Sequence, residues 1–317
     1  MLVVRSPAHA RLVRRAPTLW TRSKHTDEGA FLRDTVRKQD YDNYACGLLF
    51  PIETRTAFFA IRALNAEIAS VKDTIRNNPA TGKIRMQWWR ERIYDLYKAK
   101  SDGSACPPQE TLLLRVLEES IHKHELTRRW FERVIDARDE DLDTEQPQTL
   151  RDLEVYADRT AASLMYLSLE CLGVRDPTAD RAAGHAGVAI GLTTLLRGTP
   201  YHLSREQLYL PEELLVKHNI STDDLVAATE DPSNGKKLAP VVFDVACRAM
   251  DHLREARSLR SEIPSAARPA MRALVPSAMF LEKLEQANFN VFDPSLHERN
   301  LVQLHLELLK SHFLRRY

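Results

Sequence analysis

Residues 178–197 read TADRAAGHAGVAIGLTTLLR, and this stretch decides the fold. Ala182, Ala186, Ala189, Ile190, Thr193 and Leu196 recur at three- and four-residue spacing, which is the helical period. From Gly187 to Leu196 there is no charged residue, and almost no polar side is left before Arg197. A helix that offers water no face belongs at the centre of a large bundle.

Outward from there the same period persists. It predicts helices over about 29–48, 54–76, 82–99, 109–124, 127–143, 149–173, 178–197, 221–228, 237–263, 267–290 and 297–315. In 149–173, Leu153, Tyr156, Thr160, Leu164, Leu167 and Cys171 share one face. Pro51 ends the first helix, Thr127 and Thr149 are predicted N-caps, and Gly173 followed by Pro177 closes the longest segment. The breaker-rich stretches Ser101–Pro108 and Asp231–Lys236 are too short to separate domains. Glycine is scarce and β-branched alternation nearly absent, so the expectation is a single all-α domain over residues 27–317.

Composition narrows the function classes. The chain has 317 residues, 44% hydrophobic and 28% charged, with a net charge of +1. That is globular, with no electrostatic footprint for nucleic acid. Cys46, Cys106, Cys171 and Cys247 are widely spaced, which argues against a disulfide framework or a zinc ribbon and fits a reducing compartment. No run reaches the ~18 apolar residues of a spanning helix. Residues 1–26 carry Arg5, Arg11, Arg14, Arg15, Arg22 and Lys24, with no acid before Asp27. Arginine-rich and acid-free, without the continuous apolar core of a secretory signal, they are expected to be a mitochondrial transit peptide; a disordered basic tail is the bland alternative.

Three stretches carry a family resemblance: DYDNYACGLLFPIETRTAFFAIRALNAEIASVKD (40–73), YADRTAASLMYLSLECLG (156–173) and GVAIGLTTLLRGTPYHLSREQLYLP (187–211). Together they resemble the squalene/phytoene synthase family, prenyl-condensing enzymes built as one isoprenoid-synthase-like helical bundle. The resemblance implies two facing helices whose aspartate-rich motifs hold Mg²⁺ against substrate diphosphates, as hard cations require oxygen ligands. On this chain the first motif is matched to Ala66, Glu67 and Ser70. The second keeps Arg197 and places Gly198, Tyr201 and His202 where acids are expected, ahead of Tyr209-Leu210-Pro211. One carboxylate in such a set cannot build a multi-magnesium cage, so the expectation is a pseudoenzyme with no cofactor.

FFAIRALNAEIA, KIRMQWWRERI, LTRRW, LRGTPYH and FDPSL further resemble the non-catalytic mitochondrial branch of that family. That resemblance covers about residues 36–317. It implies an early role in assembling respiratory complex I near its ND1 subunit, with peripheral attachment to the matrix face of the inner membrane. A residual prenyl-diphosphate transferase, or a prenyl- or lipid-binding module, is the alternative.

Individual residues carry sharper and blander readings. Glu67 shares a stripe with Ala60, Leu64 and Val71, and burying it unpaired is costly. It is a relic ligand, a partly exposed side chain, or a structural partner of Arg197 or Arg85; the burial cost favours the ion pair. The run Asp139-Glu140-Asp141-Leu142-Asp143 reads as a solvated helix end. Met86, Trp89, Ile93 and Leu96 fall at core spacing, whereas Trp88 points elsewhere and becomes a partner contact if exposed. His122/His124 and His305/His312 lack the spacing of a zinc helix and read as scattered surface histidines. No GxSxG, Walker A or GxGxxG signature occurs. The final LVQLHLELLKSHFLRRY (301–317) is amphipathic, with Lys310, Arg315 and Arg316 at its end, and either docks on the bundle or lies on an anionic membrane surface.

Overall fold

The computed structural model describes residues 19–74, 79–102, 111–144, 146–298, 300–314 and 316–317. Residues 1–18 of the expected transit peptide, and Arg315, lie outside these. Every regular element among the described residues is helical. In chain order these are α1 (Leu19–Gln39), α2 (Tyr41–Gly47), α3 (Ile52–Thr74), α4 (Pro79–Asp102), α5 (Leu112–His124), α6 (Arg128–Asp141) and α7 (Leu150–Ala157). A π-helical turn (Asp158–Ala162) leads into α8 (Ser163–Cys171), followed by α9 (Pro177–Leu203), α10 (Glu212–Lys217), α11 (Thr222–Glu230) and α12 (Ala239–Ser258). Then come α13 (Arg268–Met271), α14 (Leu274–Gln286), α15 (Pro294–His297) and α16 (Leu301–Leu314).

The central helix is the one the sequence points to. Ala182, Ala186, Ala189 and Leu192 of α9 are fully buried, packed among α7, the π turn, α8, α12 and α14. On the far side of that layer, α3 packs on α1, α5 and α8. The tightest seam lies between α9 and the α7–α8 segment. A Cβ on Gly187 would sit 2.1 Å from the Ala162 Cα, and one on Gly191 would sit 2.5 Å from the Ala157 Cβ. Neither contact leaves room for a methyl group. The π turn falls on this seam, where Thr160 Oγ1 donates to the Tyr156 carbonyl at 2.7 Å and Ser163 Oγ to the Arg159 carbonyl at 2.8 Å. Hydroxyls bonded one turn back compete with the regular ladder and open it, and a π turn is the usual form of such a widening.

Other boundaries differ from expectation for local reasons. The first predicted helix divides at Asp40, whose carboxylate accepts from the Asn43 amide and starts α2. Thr149 caps α7 in a reciprocal capping box with Asp152, as expected. Thr127 occupies the N-cap position of α6, but its hydroxyl donates to Glu170 instead. Gly173 ends α8 at φ +69°, the left-handed region that favours glycine. α9 runs past Arg197 to Leu203 with Pro200 inside it. α10 was not expected, and the predicted 267–290 helix is two pieces, α13 and α14.

α16 docks by Leu304, Leu308 and Ser311, with His305 stacked on Tyr41 at 6.0 Å. His305 is therefore half-buried rather than a surface histidine. Its opposite side leaves Val302, Leu306, Leu309 and Phe313 exposed. No described helix is long and apolar enough to cross a membrane.

Gly187→Ala should lower stability by about 1–3 kcal/mol through overpacking, although alanine is the better helix former by about 1 kcal/mol. Urea denaturation measures this; an unchanged or raised midpoint would mean the seam is not close-packed.

Candidate functional site

Seen from α3, one helical face looks inward: Arg62, Ala66, Ala69 and Asp73 follow at i, i+4, i+7 and i+11. Together with Asn65 and Ser70 they line a cavity of about 490 Å³. α6 contributes Arg138 and Asp141, the α7–π segment Tyr156 and Thr160, and α9 Ile190, Thr194 and Arg197. His202 and Tyr209 close one end.

Some of the residues singled out by sequence meet here and others do not. Ala66, Ser70, Arg197 and His202 line the cavity, whereas Glu67, Gly198 and Tyr201 do not. Ala60, Leu64 and Val71 are core residues as expected, but Glu67 on the edge of their stripe is only half-buried. The expected Glu67 ion pair does not form. Arg197 Nη1 donates instead to Asp42 at 2.6 Å, and Arg85 Nη1 to the Thr74 hydroxyl at 3.0 Å. Gly198 lies under the His202 ring. Tyr201 is 46% exposed, with the Arg205 guanidinium 4.6 Å above its ring.

Outside the cavity, Met86, Trp89, Ile93 and Leu96 are core. Trp88 is half-buried, edge-on to Trp89 at 4.8 Å. Arg316 is exposed.

Asp141 overturns its reading as a solvated residue. Its side chain is 9% exposed and receives Lys72 Nζ at 2.9 Å on Oδ1, the Tyr209 hydroxyl at 2.7 Å on Oδ2 and the Tyr156 hydroxyl at 3.4 Å. Lys72 also donates to the Asp141 carbonyl at 2.7 Å. Burial first pushes both tyrosine hydroxyls above their ordinary value; the Asp141 charge adds to it at both, after Tyr156 at Tyr209 and against Arg138 at Tyr156. Both phenols therefore remain protonated donors. A signal for this was present: Phe131, Val134, Arg138 and Asp141 lie at i, i+3, i+7 and i+10, one stripe of α6. By contrast Asp139 and Glu140 behave as expected of a charged helix end, paired with Lys83, Arg90 and Arg159.

The donor set bears on what such a cavity can hold. Three carboxylates line it, Asp40, Asp73 and Asp141. Asp40 is taken up by the Asn43 amide and side chain, and Asp141 by Lys72 and two phenols. Among the described residues no three His, Cys, Asp or Glu side chains converge as metal ligands. A diphosphate held through several Mg²⁺ ions needs free carboxylates on both facing helices. α9 offers the cavity Arg197 and His202 instead, and this donor set does not fit such a cage.

A helical bundle with a cavity between α3 and α9 is the architecture of prenyl-condensing synthases, and the chain belongs to the squalene/phytoene synthase family, whose model matches residues 36–306. It is similar to a relative from Rattus norvegicus named NADH dehydrogenase (ubiquinone) complex I, assembly factor 6. The two are 39% identical over 92% of this chain and 84% of the relative. Presqualene diphosphate synthase of Rhodopseudomonas palustris is 28% identical over 70% of this chain and 75% of its own. The solved structure of a dehydrosqualene synthase in complex with ligand shares the fold, with a TM-score of 0.76 and 19% identity over 93% of this chain and 99% of that one.

Two predictions follow from the site. Asp141→Asn strands Lys72 and should cost about 2–3 kcal/mol; adding Lys72→Met should recover part of that in urea titrations, and simple additivity would show that the pair is not coupled. His124, His185 and His202 are each held below the ordinary 6.5, burial being the first cause in all three. The folded state thus binds fewer protons than the unfolded chain as pH falls. Stability should be fully present above about pH 6.5 and decline below it, read as a melting temperature that drops between pH 7.5 and 5.5.

Proposed function

We propose that this chain acts as an assembly factor for mitochondrial respiratory complex I, with no catalytic turnover of its own. The carrying observation is the 39% identity, over nearly the whole chain, to a relative named for that role; identity to a relative named as a synthase is 28% over a shorter span. The cavity supports the same reading. Ala66, Ala69 and Ser70 supply no carboxylate to it, and two of its three carboxylates are already neutralised or capped. These positions, with Glu67, Arg197, Gly198, Tyr201 and His202, are read as the degenerate remains of the diphosphate motifs.

The finer reading places the protein early in assembly of the membrane arm, near ND1. It is held peripherally on the matrix side of the inner membrane after import directed by residues 1–26. The exposed apolar side of α16, with Lys310 and Arg316 at its end, is a surface suited to such peripheral attachment. Trp88, half accessible, and the Arg315–Arg316 end are the candidate contacts.

Complementation of cells lacking the protein tests this, with assembled complex I read on a native gel. The wild-type chain and Glu67→Ala should both restore the complex, and a form without residues 1–26 should not. The purified chain should show no Mg²⁺-dependent consumption of a C15 or C20 prenyl diphosphate. Failure of the wild type to rescue, or robust turnover, would sink the reading.

A further inference from the structure

Arg62 is an electrostatic anomaly. It lies in the middle of α3, is 4% exposed and borders the cavity. Its Nε has no hydrogen-bond partner, and no described carboxylate comes within salt-bridge distance of its guanidinium. The face of Phe58 lies 5.4 Å from the guanidinium. Asp40 acts on it through space, but its oxygens bond to Asn43 and make no direct hydrogen bond to the guanidinium. An unpaired buried charge costs several kcal/mol, and a folded protein does not ordinarily leave one uncompensated.

Arg138 repeats the pattern across the cavity. Its Nε is likewise without a partner, and its terminal nitrogens reach only neutral oxygens, Asn65 Oδ1 at 3.2 Å and the Tyr156 hydroxyl at 3.4 Å. Asn65 stands one turn from Arg62 on α3, and both arginines line the same cavity. The other two lining cations, Lys72 and Arg197, are already paired with Asp141 and Asp42. What remains is two guanidiniums to which no carboxylate hydrogen-bonds, in a cavity whose apolar lining includes Ile68, Leu164, Ile190 and Leu195.

We propose that Arg62 and Arg138 form a metal-free binding site for a phosphate dianion, free or as a monoester. Its two negative charges match the two guanidiniums, and the apolar part of the lining takes an aliphatic chain where the phosphate carries one. Guanidinium forks suit a tetrahedral oxyanion through parallel charge-assisted hydrogen bonds. No carboxylate and no divalent cation takes part, which separates this site from the diphosphate motif positions on α3 and α9. It does not rest on the assembly role, because binding is read on the purified chain.

Isothermal titration calorimetry on the full chain, with EDTA in excess, tests it with inorganic phosphate and with monomeric oleoyl lysophosphatidic acid. At least one should bind. Binding of the lysophospholipid at least ~10-fold tighter than phosphate, about 1.4 kcal/mol, identifies a lipid headgroup; equal binding identifies free phosphate. Arg62→Met and Arg138→Gln should each weaken binding by at least ~10-fold. Arg62→Met should also melt no lower than wild type without ligand, because it removes an unpaired charge. The proposal is overturned if neither probe binds, if Arg62→Met binds as tightly as wild type, or if binding needs added Mg²⁺.

Discussion

The approach of α9 to the α7–α8 segment is the contact on which the rest of the bundle depends. Gly187 against Ala162 and Gly191 against Ala157 bring two helix backbones nearer than any larger side chain would allow. Dispersion energy falls steeply with small gaps, so a seam this tight is all-or-none in geometry. The neighbouring chain accommodates it with the π turn at Asp158–Ala162, which carries Thr160 and Ala161 to the cavity edge. One packing constraint thus sets both the centre of the bundle and one wall of its site.

Within that frame, charge is distributed unevenly. Asp141 and Lys72 neutralise each other under a roof of two phenols, and Arg197 is drawn to Asp42 on α2. These pairs hold together elements far apart in sequence, α3 to α6 and α9 to α2. Arg62 and Arg138 have no such counterpart. The cavity is in this respect the inverse of a metal-diphosphate site. Its fixed side chains carry surplus positive charge, where an acid-lined site carries negative charge and recruits cations to bind an anion.

The helical period and the apolar run within 178–197 made the architecture legible in the sequence, because a helix with so broad an apolar surface belongs at a bundle's centre, although Asp180, Arg181, Thr194 and Arg197 do reach solvent. Site residues were legible only where a resemblance pointed. Glu67 was given importance by a stripe with Ala60, Leu64 and Val71, yet the face toward the cavity runs through Arg62, Ala66, Ala69 and Asp73. A rotation of one residue about a helix is about 100°, enough to turn a side chain from cavity wall to rim. Asp141 was misplaced for the opposite reason. A run of acids reads as solvent-facing by composition, and its single inward member is visible only through its spacing from Phe131, Val134 and Arg138. The partners of Arg197 and Lys72 lie 155 and 69 residues away, distances at which spacing carries no information.

The glycine–alanine seam also sets where this scaffold is free to change. At Gly187, Gly191, Ala157 and Ala162 there is no volume to spend, so substitution there is limited by size. Around the cavity the constraint is of another kind: Asp141 and Arg197 are tied to charged partners on other helices, whereas Arg62 and Arg138 hydrogen-bond no carboxylate. Fold and chemistry are therefore separable at those two positions and coupled at the paired ones. A bundle of this kind can exchange the charges at such positions while keeping its backbone.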